Sequence, residues 1–251
     1  MSEGMAGITD QAESYLSQIQ DRLAIAIAEA KPELAKAGAI LAERFTRDGL
    51  LFVFGSGHSH VFAEEAFYRA GGSARVCPIL IPQYMLHVSA RQSTQLERQS
   101  GLADSILSKY QISPDRDVLL VVSNSGANSL PVEVAALAKE RNVPVIAITS
   151  VAYAKFSPAS GARLHDIADF VLDNQCPPGD ALVNLGDDLP KVGPASSVVG
   201  LALLNALIIE TLARQVAENV IPEVYMSSGM PGAPDANNAI SSRFTDRIPH
   251  L

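Results

Sequence analysis

At 251 residues, with 47% apolar and 18% charged side chains, the chain is long enough to bury one α/β core and has the composition of a compact soluble protein. A formal net charge of −8 excludes general affinity for nucleic acid or for an acidic membrane surface. It does not exclude a small anionic ligand, which a pocket can draw in locally through backbone N–H groups.

Taken in chain order, "MSEGMAGITDQ" lacks the basic and apolar regions of a signal peptide. Residues 9–47 have helical periodicity, and Pro32 is placed to open a second helix at its first turn. "LLFVF" (50–54) is a strand that stops at Gly55, followed by "SHVFAEEAFYRAG", a helix ended by Gly71. "ARVCPILI" (74–81) is a second strand, and the polar segment 82–100 is ambiguous. "LADSILSKY" reads as helix, 117–122 as strand, 129–141 as helix, 143–149 as strand and 167–173 as a fifth strand. Strands that are continuous apolar runs, alternating with helices, predict a parallel sheet covered on both faces.

Residues 174–195, rich in Pro and Gly, read as a loop. "VVGLALLNALII", Val198 to Ile209, is too short to cross a bilayer, and its apolar circumference predicts burial in a core or at a subunit interface. The expected organisation is one domain over 1–251: a core at about 35–215, a helical extension over 1–34, and a Pro/Gly-rich arm or flap over 219–251. Cys77 and Cys176 have no neighbouring thiol and read as reduced core residues, which makes the cytoplasm the expected location.

Two strand ends are rich in Gly and Ser and run straight into helices: "VFGSGHSH" (53–60) and "VVSNSGANS" (121–129). Hydroxyls and free N–H groups at a helix N-terminus favour an anion, so Ser123, Asn124, Ser125 and Asn128 on one loop, with Gly55, Ser56, Gly57, His58 and Ser59 on the other, are candidate ligands. Helix capping alone explains one such turn; two in one sheet favour an anion site. "GSGHSH" is not G-x-G-x-x-G, and no GK[ST] follows, so a dinucleotide or nucleoside triphosphate is not expected. His58 and His60, two residues apart, do not face one way on a helix, and no metal site is expected from them; His87 is assigned no role. A third element, "GPASSVVGLALLNALIIETLA" (193–213), offers Ser196 and Ser197 either as caps or as the far side of a sugar pocket.

Together these elements resemble the sugar isomerase (SIS) domain family over residues 35–215. "SNSGAN" is similar to that family's Ser-x-Ser-Gly-x-Ser/Thr phosphate loop, "GSGHS" to its first Gly-rich loop, and "PASSVVGLALLNAL" to the Pro-Thr-Ser-Ser helix start of arabinose-5-phosphate isomerases. The resemblance implies a flavodoxin-like, doubly wound, five-stranded parallel sheet with a helical N-terminal segment. It also implies a phosphorylated sugar as partner, no cofactor, and assembly as a homodimer or homotetramer.

By position, Glu97 in "LERQSGLAD" matches the glutamate of those isomerases, while their later histidine has no counterpart here. Glu64 and Glu65 fall where related phosphoheptose isomerases and muramic acid phosphate etherases take a glutamate, and solvated helix carboxylates are the competing reading. Glu65 and Glu97 are the expected acid–base pair.

Isomerisation and elimination both begin with abstraction of the proton next to the sugar carbonyl. Two carboxylates without the histidine favour elimination, a dehydratase- or etherase-like lyase acting on an N-acetylhexosamine 6-phosphate such as N-acetylglucosamine 6-phosphate. An aldose–ketose isomerase is the alternative, and a non-catalytic phosphosugar sensor the second alternative.

Overall fold

Short runs of β-branched and aliphatic residues become the five strands of the main sheet in the computed structural model, which describes residues 8–158 and 161–251. They are β1 (Leu51–Gly55), β2 (Val76–Ile79), β3 (Val118–Val122), β4 (Val145–Thr149) and β5 (Phe170–Asp173). All pairings are parallel and the order is β2-β1-β3-β4-β5, the flavodoxin-like doubly wound arrangement expected. Gly55 of β1 stands beside Val122 of β3, so the loops that follow these two strands emerge together.

Period-two alternation divides the strands between two cores. Phe52, Phe54, Leu119 and Val121 face α5 (Ser129–Glu140) through Leu130 and Val134, and α4 (Ala103–Leu107) through Ile106. Leu51, Val53, Leu120 and Ile148 face α1 (Asp10–Thr46) and α8 (Ser196–Ala217) through Leu41, Leu203 and Leu207. Each fully buried Leu or Phe contributes about 1.5–3 kcal/mol, so these layers dominate the stability.

Several boundaries differ from expectation. Pro32 does not open a second helix: α1 is one helix of 37 residues with the proline inside it. Ala26, Ala30, Ala37 and Leu41 are fully or almost fully buried, and their packing on the same side before and after Pro32 outweighs the lost N–H, whose exposed acceptor at Ala28 is left to water. After β1 the chain forms a 3₁₀ turn (Gly57–His60) and then the short α2 (Val61–Ala66), which ends well before Gly71 because Phe67 turns extended. The ambiguous segment contains α3 (Leu86–Leu96). The Pro/Gly-rich stretch over 174–195 includes a small antiparallel pair, β6 (Ala181–Val183) and β7 (Val192–Pro194). Two further short helices, α6 (Val151–Phe156) and α7 (Leu164–Ile167), follow β4.

The C-terminal segment is no flap. It carries α9 (Ala233–Ser241) and adds Phe244 and Ile248 to the buried core on the α4 and α5 side of the sheet, with Arg75 over the Phe244 ring. Arg75 pairs with Glu223 and Asp48, and Arg247 bonds the fully buried Asp117 carboxylate at 2.6 Å, which also accepts from Leu50 N at 2.8 Å. With its partners satisfied, this charge can remain buried, and removing Arg247 would strand it.

α8 is longer than its apolar run suggested: its 22 residues suffice in length and composition to cross a bilayer. Here one face, including Val199, Leu203, Leu204 and Leu207, is buried against α1 and the sheet. Val198, Ile209 and Val216 remain exposed on it, so the circumference is not closed within one chain.

Candidate functional site

In a doubly wound sheet the neighbouring strands β1 and β3 part at the switch of winding direction, and their carboxyl-end loops form a crevice. The loop after β3 is shaped by Gly126, whose φ of 56° lies in the left-handed region and whose Cα faces Thr149 so closely that a Cβ would sit 2.7 Å from Oγ1. Ser123 is buried, and its hydroxyl accepts from Gly126 N at 3.2 Å. Asn124 is pinned twice: its carbonyl accepts from Ser150 N at 3.1 Å and its Oδ1 from Asn174 Nδ2 at 2.9 Å.

This bracing leaves a cluster of donors facing outward. Among the described residues, the N–H groups of Ser125, Ala127, Asn128 and Ser129 and the Ser125 hydroxyl have no hydrogen-bond partner. They stand at the N-terminus of the twelve-residue α5, where the helix dipole adds positive potential. The loop lines a cleft of about 580 Å³, and Ser56, His58 and Ser59 from the loop after β1 form the opposite wall. Gly55 and Gly57 lie behind that wall, where Gly57 at φ 57° lets the chain turn directly beneath Glu97.

Glu97 closes the cleft from the end of α3. Its Oε1 accepts from Asn128 Nδ2 at 3.1 Å, and its Oε2 lies 3.4 Å from Ser56 Oγ. Its backbone carbonyl accepts from Leu130 N at 3.0 Å, which ties it to the first turn of α5. Burial holds the Glu97 carboxyl above the ordinary glutamate range, against the opposing effects of Arg98 and the Ser56 hydroxyl. A carboxyl so placed can take up and return a proton. Asn128, expected at a phosphate position, therefore also orients Glu97.

Glu65 is not brought to Glu97. It forms an i,i+4 ion pair with Arg69 on the outside of α2 and lines neither the cleft nor its extension. Arg69 lies beyond the helix end at Ala66, where the chain turns at Phe67 and Tyr68, and the residue pattern alone gave no sign of which way the carboxylate turns.

A second lobe of about 320 Å³ shares His58, Ser59, Asn124 and Tyr153 with the cleft and continues over Phe62 and Val122. Ser197 lines this lobe. Ser196 does too, but its hydroxyl donates to Asp180 Oδ2 at 2.6 Å, while Asp180 Oδ1 accepts from Ala195 N and Ser196 N. A carboxylate thus already occupies the positive end of α8, whereas the donors at the start of α5 have no partner among the described residues.

Tyr153, Arg98, Asp180 and Asn174 were not singled out from sequence. Tyr153 was accessible to the same rule that found the two Ser-rich loops, since it lies in the first turn of the helix after strand β4 and Ser150 caps that helix by accepting from Tyr153 N at 3.0 Å. Arg98 follows Glu97 directly and carries the fixed positive charge among the described lining residues. Nothing local marks Asp180, because its importance comes from a hairpin that returns it to α8.

The fold and this crevice define a parallel α/β protein with a strand-end cleft lined by backbone N–H donors. A SIS domain model matches residues 14–150, more than half of the chain. The chain belongs to the SIS domain family. It is 43% identical over 236 residues to a UPF0309 protein of Brucella canis, and 42% identical over 236 residues to a UPF0309 protein of Brucella ovis, with 94% of each chain covered in both cases. Phosphoheptose isomerases from Neisseria gonorrhoeae and Francisella tularensis share its fold. The first gives a TM-score of 0.54 at 16% identity, covering 81% of this chain and 98% of the other; the second gives 0.50 at 16% identity, covering 80% and 100%.

Proposed function

We propose that the protein binds a phosphorylated sugar in the main cleft and interconverts its aldose and ketose forms, with Glu97 carrying the proton between C2 and C1. The observation behind this reading is a single half-buried carboxyl, held protonatable by burial, facing a loop of unpaired N–H donors. The phosphate sits against Ser123, Ser125 and the N-terminus of α5, with Arg98 nearby, which sets the sugar carbonyl toward Glu97. One group suffices for isomerisation, because Glu97 takes the proton from C2, exchanges it with solvent while the enediol stands, and returns a proton to C1, as a second proton passes between the two oxygens. The matching SIS domain and the shared fold with phosphoheptose isomerases support the same class. The buried thiols Cys77 and Cys176 support a reducing, cytoplasmic setting.

Elimination from an N-acetylhexosamine 6-phosphate is the second reading. It needs an acid for the departing C3 oxygen, and with Glu65 turned to Arg69 that role falls to His58, which borders both lobes. The second lobe, with Phe62 and Val122, has the apolar wall an acetamido methyl would contact.

One experiment separates these readings: incubation with hexose, pentose and N-acetylhexosamine phosphates in deuterated water, followed by mass spectrometry. Isomerisation yields a new isomer of the sugar with solvent deuterium at carbon, whereas elimination yields loss of water or of the C3 ether substituent. Phosphosugar binding without turnover of any substrate would overturn both and leave a sensor.

A further inference from the structure

His60, Glu64 and His87 converge beside the cleft, on the far side of Gly57 from Glu97. Their ligand atoms all lie within 4.8 Å of one another. The sequence pattern pointed away from a metal because it weighed His60 against His58; the fold instead brings His60 to His87, at the start of α3.

The protonation logic of the cluster is specific. His60 is buried, and its Nδ1 is bonded to the Gly57 carbonyl, which can only accept, so Nδ1 carries the proton. Nε2 then presents its lone pair to Glu64 Oε1, 3.6 Å away. A lone pair and a carboxylate oxygen turned toward the same space can share a cation, and a metal ion is one such cation. The His87 ring, edge-to-face with His60 at 6.0 Å between centroids, adds a third donor to the same space and favours the metal.

We infer that His60 Nε2, Glu64 and His87 form a binding site for a divalent transition ion of the zinc type. Nitrogen and oxygen ligands about 2.0–2.2 Å from a tetrahedral zinc stand roughly 3.3–3.5 Å from one another. The His60–Glu64 separation is already close to that value. His87 and Glu64 are exposed side chains with room to move, while His60 is fixed, so a small rotation of the mobile pair completes the set. The Gly57 carbonyl is the outer partner that holds the His60 tautomer and ring plane, a role such ligands regularly need. Two imidazoles disfavour magnesium and calcium, which select oxygen. Three protein ligands leave a fourth position for water or for an oxygen of a bound molecule. Gly57 also connects the site to the cleft, since a Cβ built on it would lie 3.3 Å from Glu97 Oε2.

The test uses the full chain, stripped with a chelator and titrated with Zn²⁺ by calorimetry and with Co²⁺ by visible absorption. One equivalent should bind, Co²⁺ should develop the absorption of a low-symmetry site, and excess Mg²⁺ should not displace it. Glu64→Gln and His87→Ala should each weaken binding by at least about tenfold, as loss of a ligand does at minimum what loss of an outer partner does. Glu65→Gln, one residue along the same helix, should leave it unchanged. Both ligand variants alter exposed side chains, and circular dichroism with thermal melts will verify that they remain folded. Absence of stoichiometric binding by the unaltered chain, or equal affinity in folded Glu64→Gln and His87→Ala, would overturn the assignment.

Discussion

In the proposed reaction Glu97 carries the chemistry at the residue scale, because three constraints meet on one carboxyl: burial, the Asn128 amide and the Ser56 hydroxyl. Glu97→Gln retains the shape and removes proton transfer, and turnover should fall by about 10²–10⁴-fold with phosphosugar affinity largely kept. The pH dependence follows from the direction of the shift. Burial raises the folded-state pKa, so the acid limb of kcat/KM should lie above the ordinary glutamate value of 4.5. Stability carries the opposite mark: burying the ionised form costs stability, a cost absent below the ordinary value and complete above the raised one. The unaltered chain should therefore lose stability relative to Glu97→Gln as pH rises through that window, and urea unfolding across a pH series measures it. Ser125→Ala tests the phosphate loop most cleanly. Its hydroxyl has no partner among the described residues, so affinity for inorganic phosphate or a phosphosugar should drop about tenfold while the melting temperature holds. Ser123→Ala would confuse the two effects, since that hydroxyl also braces Gly126.

At the scale of elements, the strands were legible because a parallel strand buried on both faces must be a continuous apolar run, as "VLLVV" and "VIAIT" are. The Ser-rich turns were legible because few structures besides an anion cradle or a cap need so many small donors together. What the sequence left hidden is where side chains meet across distance: Glu65 turning to Arg69, Asp180 returning to α8, His87 reaching His60. Pro32 shows the same limit in the backbone, for local propensity ends a helix there and tertiary packing carries it through. Pro32→Ala should restore the bond to the Ala28 carbonyl and raise stability by about 1–3 kcal/mol, read from the denaturation midpoint at constant m-value. An unchanged or lower midpoint would mean that α1 has already relaxed around the ring.

For the whole molecule, α1 and α8 lie side by side on one face of the sheet, and both keep apolar residues outside it. Leu16, Ile25 and Ile27 on α1 and Val198, Ile209 and Val216 on α8 are exposed large hydrophobics, with Ile209 at 65%. A helix that buries one face and leaves Ile and Val on another suits contact with a second copy, because a self-complementary patch closes under two-fold symmetry and covers both helices at once. The net charge of −8 opposes association only weakly at physiological salt, where separated surface charges are screened within about 8 Å. Each Ile or Val covered in such an interface contributes about 1.5–3 kcal/mol of transfer free energy before the cost of association is subtracted. The chain should therefore be at least dimeric at micromolar concentration by light scattering. Ile209→Asp should shift the mass toward the monomer without lowering the protomer's helix content, because the side chain touches no core within its own chain. A monomeric mass for the unaltered protein would show that these residues are tolerated in water, and a dimer indifferent to Ile209→Asp would move the interface to another face of the molecule.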